Sequence, residues 1–157
     1  MAIDEQGFKQ AMSHFASGVT IVTTDHEDTL FGMTVAAFCS LSLRPPLVLV
    51  CIDKRVRTHE AIAASRRFGV SVLAAGQAQV SNHFASKIED KFADIPYHRG
   101  ELGLPLIEGA IATLECRVTD QLEGGDHTIF VGEVEFAETR DGAPLVYFRG
   151  GYREIGV

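Results

Sequence analysis

Three cations stand within four residues in the run Asp53-Lys54-Arg55-Val56-Arg57-Thr58. Thr58 suits the cap of a following helix. Charge-assisted hydrogen bonds, free N–H groups and a helix dipole can together hold a phosphate. The same run fits a solvated charged loop. Upstream, Gly32-Met33-Thr34-Val35-Ala36-Ala37 carries mostly small side chains. Small side chains let a planar heterocycle approach the backbone, whose N–H groups can donate to its carbonyls and ring nitrogens. That run also fits a strand packed under a helix. The adjacency of the two runs favours a flat, phosphate-bearing ligand of the nucleotide type, lying across a β-sheet.

A third feature is Gly124-Gly125-Asp126-His127. Two glycines permit a tight turn, Asp126 can orient a neighbour, and His127 opens the next strand at a sheet end. An imidazole there can donate to a carboxamide or to a ring edge; an exposed hairpin histidine fits equally. Asn82-His83-Phe84-Ala85-Ser86-Lys87, with Lys91, is weaker: Phe84 suits the core, and His83, Lys87 and Lys91 either close over a ligand or stay solvated. Other chemistries lack their residues. There is no HExxH, no CxxC pair, no GxSxG elbow and no GxxxxGK[ST] loop. No GxGxxG follows a strand, so Rossmann-type dinucleotide binding is not indicated.

The elements that must position these residues follow from periodicity. Phe8, Met12, Phe15 and Ala16 define one apolar face of a helix over residues 4–17, stopped at Gly18. Strands are predicted at Val19–Thr24 and Leu30–Val35 around a turn at Asp25–Asp28, then at Phe38–Leu43 and Leu47–Ile52 around Pro45-Pro46. A helix over Thr58–Arg67, a strand over Phe68–Leu73 and a helix over Gln77–Lys87 come next. Residues 88–109 read as a long surface segment. Ile111–Gln121 alternates, with Thr113, Glu115 and Arg117 on the polar side. His127–Ala137 alternates with Phe130, Val134 and Phe136 on one face. Leu145–Phe148 is the last strand. Such alternation points to a mainly β (α+β) fold, an antiparallel barrel with short covering helices, rather than a doubly wound parallel sheet.

Composition sets the outer bounds. With 157 residues, residues 1–157 suit a single domain with its own core. A formal net charge of −7 argues against a nucleic-acid partner and confines any phosphate site to a local cationic patch. Cys39, Cys51 and Cys116 each sit in an apolar run, which predicts buried, reduced thiols and a cytoplasmic location. No signal-peptide pattern and no membrane-length apolar run is present.

These segments together resemble the short-chain flavin reductase family. The resemblance rests on FKQAMSHFASGVTIVTT, GMTVAAFCSLSLRPPLVLVCI, RRFGVSVLAAGQ, NHFASKIEDKF, GDHTIFVGEV and PLVYFRGGYR, in this order over about residues 7–155. It implies the FMN-binding split-barrel fold and a homodimer with flavin near the subunit interface. It also implies NAD(P)H:flavin oxidoreductase activity that supplies reduced flavin to a two-component flavin-dependent monooxygenase. On it, Met33, Thr34, Val35, Ala36 and Ala37 line the isoalloxazine, and Cys51, Ile52, Asp53 and Lys54 continue the wall. Thr58 with Arg57 and its neighbouring cations holds phosphate, and Asn82, His83, Phe84 and Lys87 close the site. Gly125, Asp126 and His127 resemble the nicotinamide-side motif, with Tyr152 and Arg153 nearby and His127 as the catalytic group. The implied cofactors are FMN or FAD with NADH, NADPH being possible, and no metal.

Two alternatives share the fold. A flavin-binding carrier or sensor needs the flavin wall but not the glycine turn. A split-barrel oxidase for a pyridoxal-type phosphate needs more basic residues at the C-terminus than Arg149 and Arg153.

Overall fold

The computed structural model describes residues 2–155. Its elements run α1 (Glu5–Ser13), β1 (Ser17–Gly18), β2 (Thr20–His26), β3 (Thr29–Val35), β4 (Phe38–Ser42), β5 (Leu47–Asp53), α2 (Arg57–Ser65), β6 (Arg67–Val72) and α3 (Ala78–Ala85). They continue with β7 (Tyr97–Arg99), β8 (Pro105–Ile107), β9 (Ala112–Gly124), β10 (His127–Thr139), β11 (Val146–Phe148) and β12 (Gly151–Arg153).

Seven antiparallel strands form the main sheet in the order β3-β2-β6-β9-β10-β5-β4. Its two outermost strands, β3 and β4, are consecutive in the chain, so the sheet curls until Ala36-Ala37 joins its edges. The Cys51 N–H donates to the Ala37 carbonyl at 3.0 Å across that seam. The result is the expected antiparallel split barrel. Val22, Val50, Ile52, Ile62, Phe68, Val70 and Phe130 fill its interior. A second cluster under α3 joins Ile21, Leu73, Phe84, Phe92, Ile107 and Leu145.

Strand β2 is buried along Thr20–Thr24 on both faces, so its hydroxyls need internal acceptors. Thr20 donates to the Val35 carbonyl at 2.6 Å, Thr23 to that of Pro105 at 2.6 Å, and Thr24 to that of Arg67 at 2.8 Å. The β2–β3 turn is tighter than periodicity suggests. Glu27 and Asp28 both take positive φ (50° and 60°), as a two-residue hairpin matched to strand twist requires.

Several expectations change. Helix α1 stops at Ser13, and Gly18 belongs to β1. Its apolar face does not enter the core: Phe8, Met12 and Phe15 are 55%, 53% and 77% exposed. Thr58 lies inside α2, whose N-cap is Val56 with no side-chain cap bond. Helix α3 ends at Ala85, leaving Lys87 on an exposed link. The segment 88–109 holds the β7–β8 hairpin and buries Phe92, Leu104, Leu106 and Ile107.

Glu115 departs from the polar face and is buried, because its carboxylate accepts the Leu102 and Leu104 N–H groups at 2.9 and 3.3 Å. A bulge between Val134 and Phe136 leaves Phe136 43% exposed. The expected burial of all three thiols holds only in part: Cys116 is buried, Cys51 is half-buried and Cys39 is exposed. The short strands β1 and β12 have no periodicity to announce them. No described helix is long and apolar enough to cross a membrane.

Candidate functional site

The seam between Ala37 and Cys51 is the hub of the site. On one side, β3 ends in Met33 and Thr34, half-buried, then Val35, buried, and Ala36 and Ala37, both exposed. The Ala36 and Ala37 carbonyls accept the Phe38 and Cys51 N–H groups, whereas their own N–H groups have no acceptor among the described residues. Exposed, unused donors beside methyl-sized side chains fit the edge of a flat heterocycle.

On the other side, β5 alternates strictly. Val48, Val50 and Ile52 point into the barrel, and Leu47, Leu49, Cys51 and Asp53 point outward, half-buried. β10 runs antiparallel beside it with His127 opposite Asp53 and Ile129 opposite Cys51. The outer face therefore carries Cys51, Asp53, Ile129 and His127 together. The β9–β10 turn is made by Gly125, with φ +70°, and Asp126. The Lys54 N–H donates to the Asp126 carbonyl at 3.0 Å, docking the cationic loop against this turn. His127 Nδ1 lies 2.7 Å from the Asp126 carboxylate and donates its N–H to it, which leaves Nε2 free to face outward. That bond, then the imidazole's charge, lowers the Asp126 pKa.

The three loop cations have different fates. Arg55 folds back on Asp53 at 2.7 Å and holds that carboxyl far below its ordinary range, first through its guanidinium and then through its own N–H. Lys54 pairs with Glu123 at 2.5 Å and lowers the Glu123 pKa. Arg57 has no carboxylate partner among the described residues and lies over the Phe31 ring, 5.4 Å from its centroid. It is also the first residue of α2, whose first N–H groups lack side-chain acceptors. A free guanidinium beside free N–H groups fits a phosphate.

A third group packs α3 against β3. The Thr34 hydroxyl donates to the Ser81 carbonyl at 2.6 Å. Ser81 Oγ lies 2.7 Å from the Tyr152 hydroxyl, which donates to the Asn82 side chain at 2.9 Å. His83 donates from Nε2 to the Lys91 carbonyl at 2.8 Å. Lys91 turns its ammonium inward to the Gly32 and Phe84 carbonyls at 3.2 and 2.8 Å, and burial lowers its pKa. The Phe84 and Ile52 side chains are wholly inside the core, so only their backbones face the groove. Lys87 and Arg153 are exposed, and Arg153 donates to the Tyr152 carbonyl at 3.1 Å.

A flavin reductase-like domain model matches residues 12–156. The chain belongs to this flavin reductase family. It is 45% identical over 150 residues to the reductase component of a 4-nitrophenol 4-monooxygenase/4-nitrocatechol 2-monooxygenase of Rhodococcus opacus, covering 96% of this chain and 80% of that protein. It is 43% identical to an NADH-dependent flavin reductase of a Rhodococcus species, covering 94% and 84%. Among solved structures, the Streptomyces globisporus NADH:FAD oxidoreductase SgcE6 in complex with NAD and FAD fragments superposes with a TM-score of 0.93. That match has 38% identity and covers 99% of this chain and 97% of the other.

In this flavin reductase the groove is open rather than enclosed. Cavities of about 280 and 500 Å³ lie elsewhere, one under Phe136 beside Glu115 and one between Leu30 and Tyr97. Neither is lined by the cationic loop, the Ala36-Ala37 link or the glycine turn. One residue at the site escapes sequence inspection. His59, on α2, has its Nε2 2.7 Å from Thr128 Oγ1 and its ring 5.3 Å from that of Phe130. Only its place directly after the cationic run hinted at it.

Proposed function

We propose that this chain is a single-domain, NADH-dependent flavin reductase that hands reduced FMN or FAD to a partner flavin-dependent monooxygenase. The observation that carries this is the pairing of Asp53 with His127. It sets the cationic loop, the seam beside Cys51 and the Gly125-Asp126-His127 turn at one end of one sheet face. Relatives named as reductase components and as NADH-dependent flavin reductases support it.

Hydride transfer from reduced nicotinamide to flavin is chemistry the two nucleotides supply when bound. The chain's residues bind and orient. The Ala36 and Ala37 N–H groups donate to the ring edge, with Met33, Thr34 and Val35 forming the wall behind them. Cys51 and Asp53, with the backbones of Ile52 and Lys54, extend that wall. Arg57, Thr58 and the free N–H groups of α2 take phosphate, with Lys54 available once it releases Glu123. Asn82, tied to Tyr152, and the α3 backbone at His83 and Phe84 border the other end, with Lys87 and Arg153 on its rim. His127 offers Nε2 to the nicotinamide carboxamide, held in orientation by Asp126 on the Gly125 turn. No acid–base dyad is needed, since alignment and electrostatic preorganisation carry the step.

The open groove and the exposed face of Phe8, Met12 and Phe15 support a homodimer that completes the site. Three free cysteines support a cytoplasmic location. The test is loss of NADH absorbance with FMN, FAD or riboflavin as acceptor. Oxidation that depends on added flavin is expected; flavin binding without NADH consumption overturns the reductase assignment. Light scattering during size exclusion checks the dimer, and a monomer at micromolar concentration overturns it.

A further inference from the structure

Two ends of the groove must keep a fixed separation: the first turn of α2 and the imidazole of His127. Three contacts tie α2 and its preceding loop to the hairpin formed by the end of β9 and the start of β10. The Lys54–Glu123 ion pair is exposed, with Glu123 at 83%, and such pairs hold geometry weakly. The Lys54 N–H bond to the Asp126 carbonyl fixes the loop's start, three residues before α2 begins. The third contact is different in kind. His59, two residues into α2 from Arg57, shares a hydrogen bond of 2.7 Å with the hydroxyl of Thr128, which is buried. Thr128 directly follows His127, and the two side chains leave opposite faces of β10. The His59 ring also rests on Phe130 of the barrel core, 5.3 Å away at 60°.

We propose that His59 is a positioning residue: through Thr128 it sets the phosphate-binding turn of α2 at a fixed distance from His127, and so makes the site discriminate phosphate-bearing flavins from riboflavin. His59 touches no reacting atom in this role. It holds Arg57 and the free N–H groups of α2 where a phosphate arrives when the ring lies along Ala36-Ala37. This role holds only if the first turn of α2 takes the flavin phosphate.

The test measures FMN and riboflavin binding by flavin fluorescence in wild type, Thr128→Val, Thr128→Ser, His59→Gln and Arg57→Ala. Steady-state NADH oxidation and thermal unfolding are recorded for each. Thr128→Val keeps the shape and removes the hydroxyl. It is expected to weaken FMN binding about five- to ten-fold, the effect of one shielded hydrogen bond, with riboflavin binding within about two-fold of wild type. The Michaelis constant for FMN rises while the saturated rate holds. Thr128→Ser restores binding, and His59→Gln is intermediate. Equal weakening of FMN and riboflavin, or none, overturns the positioning role and leaves His59 as packing. If Arg57→Ala lowers the FMN preference and Thr128→Val does not, only the His59 role falls. If neither does, the phosphate lies elsewhere and both fall. If FMN preference responds as expected but no variant, nor wild type, oxidises NADH, the reductase assignment falls and the His59 role stands.

Discussion

The guanidinium of Arg57 lies over the ring of Phe31, 5.4 Å from its centroid, and has no carboxylate partner among the described residues. Cation–π contact holds the side chain without neutralising it. Lys54, three residues earlier, is already paired with Glu123. The two cations therefore differ in what they can offer a phosphate. Arg57→Ala is expected to weaken FMN binding about 10-fold or more, as loss of a charge-assisted bond does, and Lys54→Ala by less. Fluorescence titration checks both. An order reversed between them moves the phosphate to Lys54.

His127 is expected to matter for the nicotinamide rather than the flavin. His127→Ala should slow reduction of bound flavin by NADH about 10-fold, while FMN affinity stays near wild type. Stopped-flow reduction and a binding titration separate the two. Asp126→Asn keeps the shape but weakens the hold on Nδ1, so a smaller slowing is expected. An unchanged reduction rate in both variants removes the turn from the mechanism.

Gly132 tests the barrel that positions the site. A Cβ there would meet the Phe68 ring at 2.6 Å and Cys116 Cβ at 2.9 Å, all inside the core. The neighbours are packed side chains with nowhere to go. Gly132→Ala is expected to cost about 1–3 kcal/mol through overpacking. Urea unfolding of the variant against wild type measures it, and an unchanged midpoint contradicts it.

The three thiols should react in a fixed order, with the exposed Cys39 first. Cys116 is buried and its pKa is pushed up to about 12, first by burial and then by the charge of Glu115. Burial also raises Cys51, with Cys39 a lesser influence. Thiolate is the reactive form, so Cys116 stays unmodified by iodoacetamide in the folded protein, Cys51 reacts slowly, and both label fully in urea. Mass spectrometry of labelled peptides reads the order. Early labelling of Cys116 contradicts the buried assignment.

Much of the barrel was legible in the chain. Leu47–Ile52 is apolar on both faces because its inner side fills the barrel and its outer side lines the groove. The β-branched run at Val19–Thr24 similarly reports a strand buried twice. Strand alternation argued against a doubly wound parallel sheet, and Pro45 and Pro46 marked the link between two strands. Departures arise where a tertiary partner overrides a local pattern. Glu115 carries the polarity of a surface residue, yet two loop N–H groups from Leu102 and Leu104 draw it inside. Phe8, Met12 and Phe15 have the spacing of a core helix, yet α1 and the residues that follow it leave them exposed, because spacing defines a face and says nothing of what covers it.

Local residue type alone determined which groups could hold a phosphate, a ring edge or a carboxamide, since those capacities belong to side chains and backbone donors. The tertiary structure decided which remain available. Folding sets Glu123 against Lys54 and Phe31 beneath Arg57, and the neighbouring Asp53 takes Arg55, so that Arg57 is the loop cation without a carboxylate partner among the described residues. Only strand register places His127 opposite Asp53, 74 positions away in the chain. Charge is written along the sequence, but its neutralisation is a through-space property of about 4 Å range for a direct pair. That is why the cationic loop was visible at once and the choice of Arg57 was not.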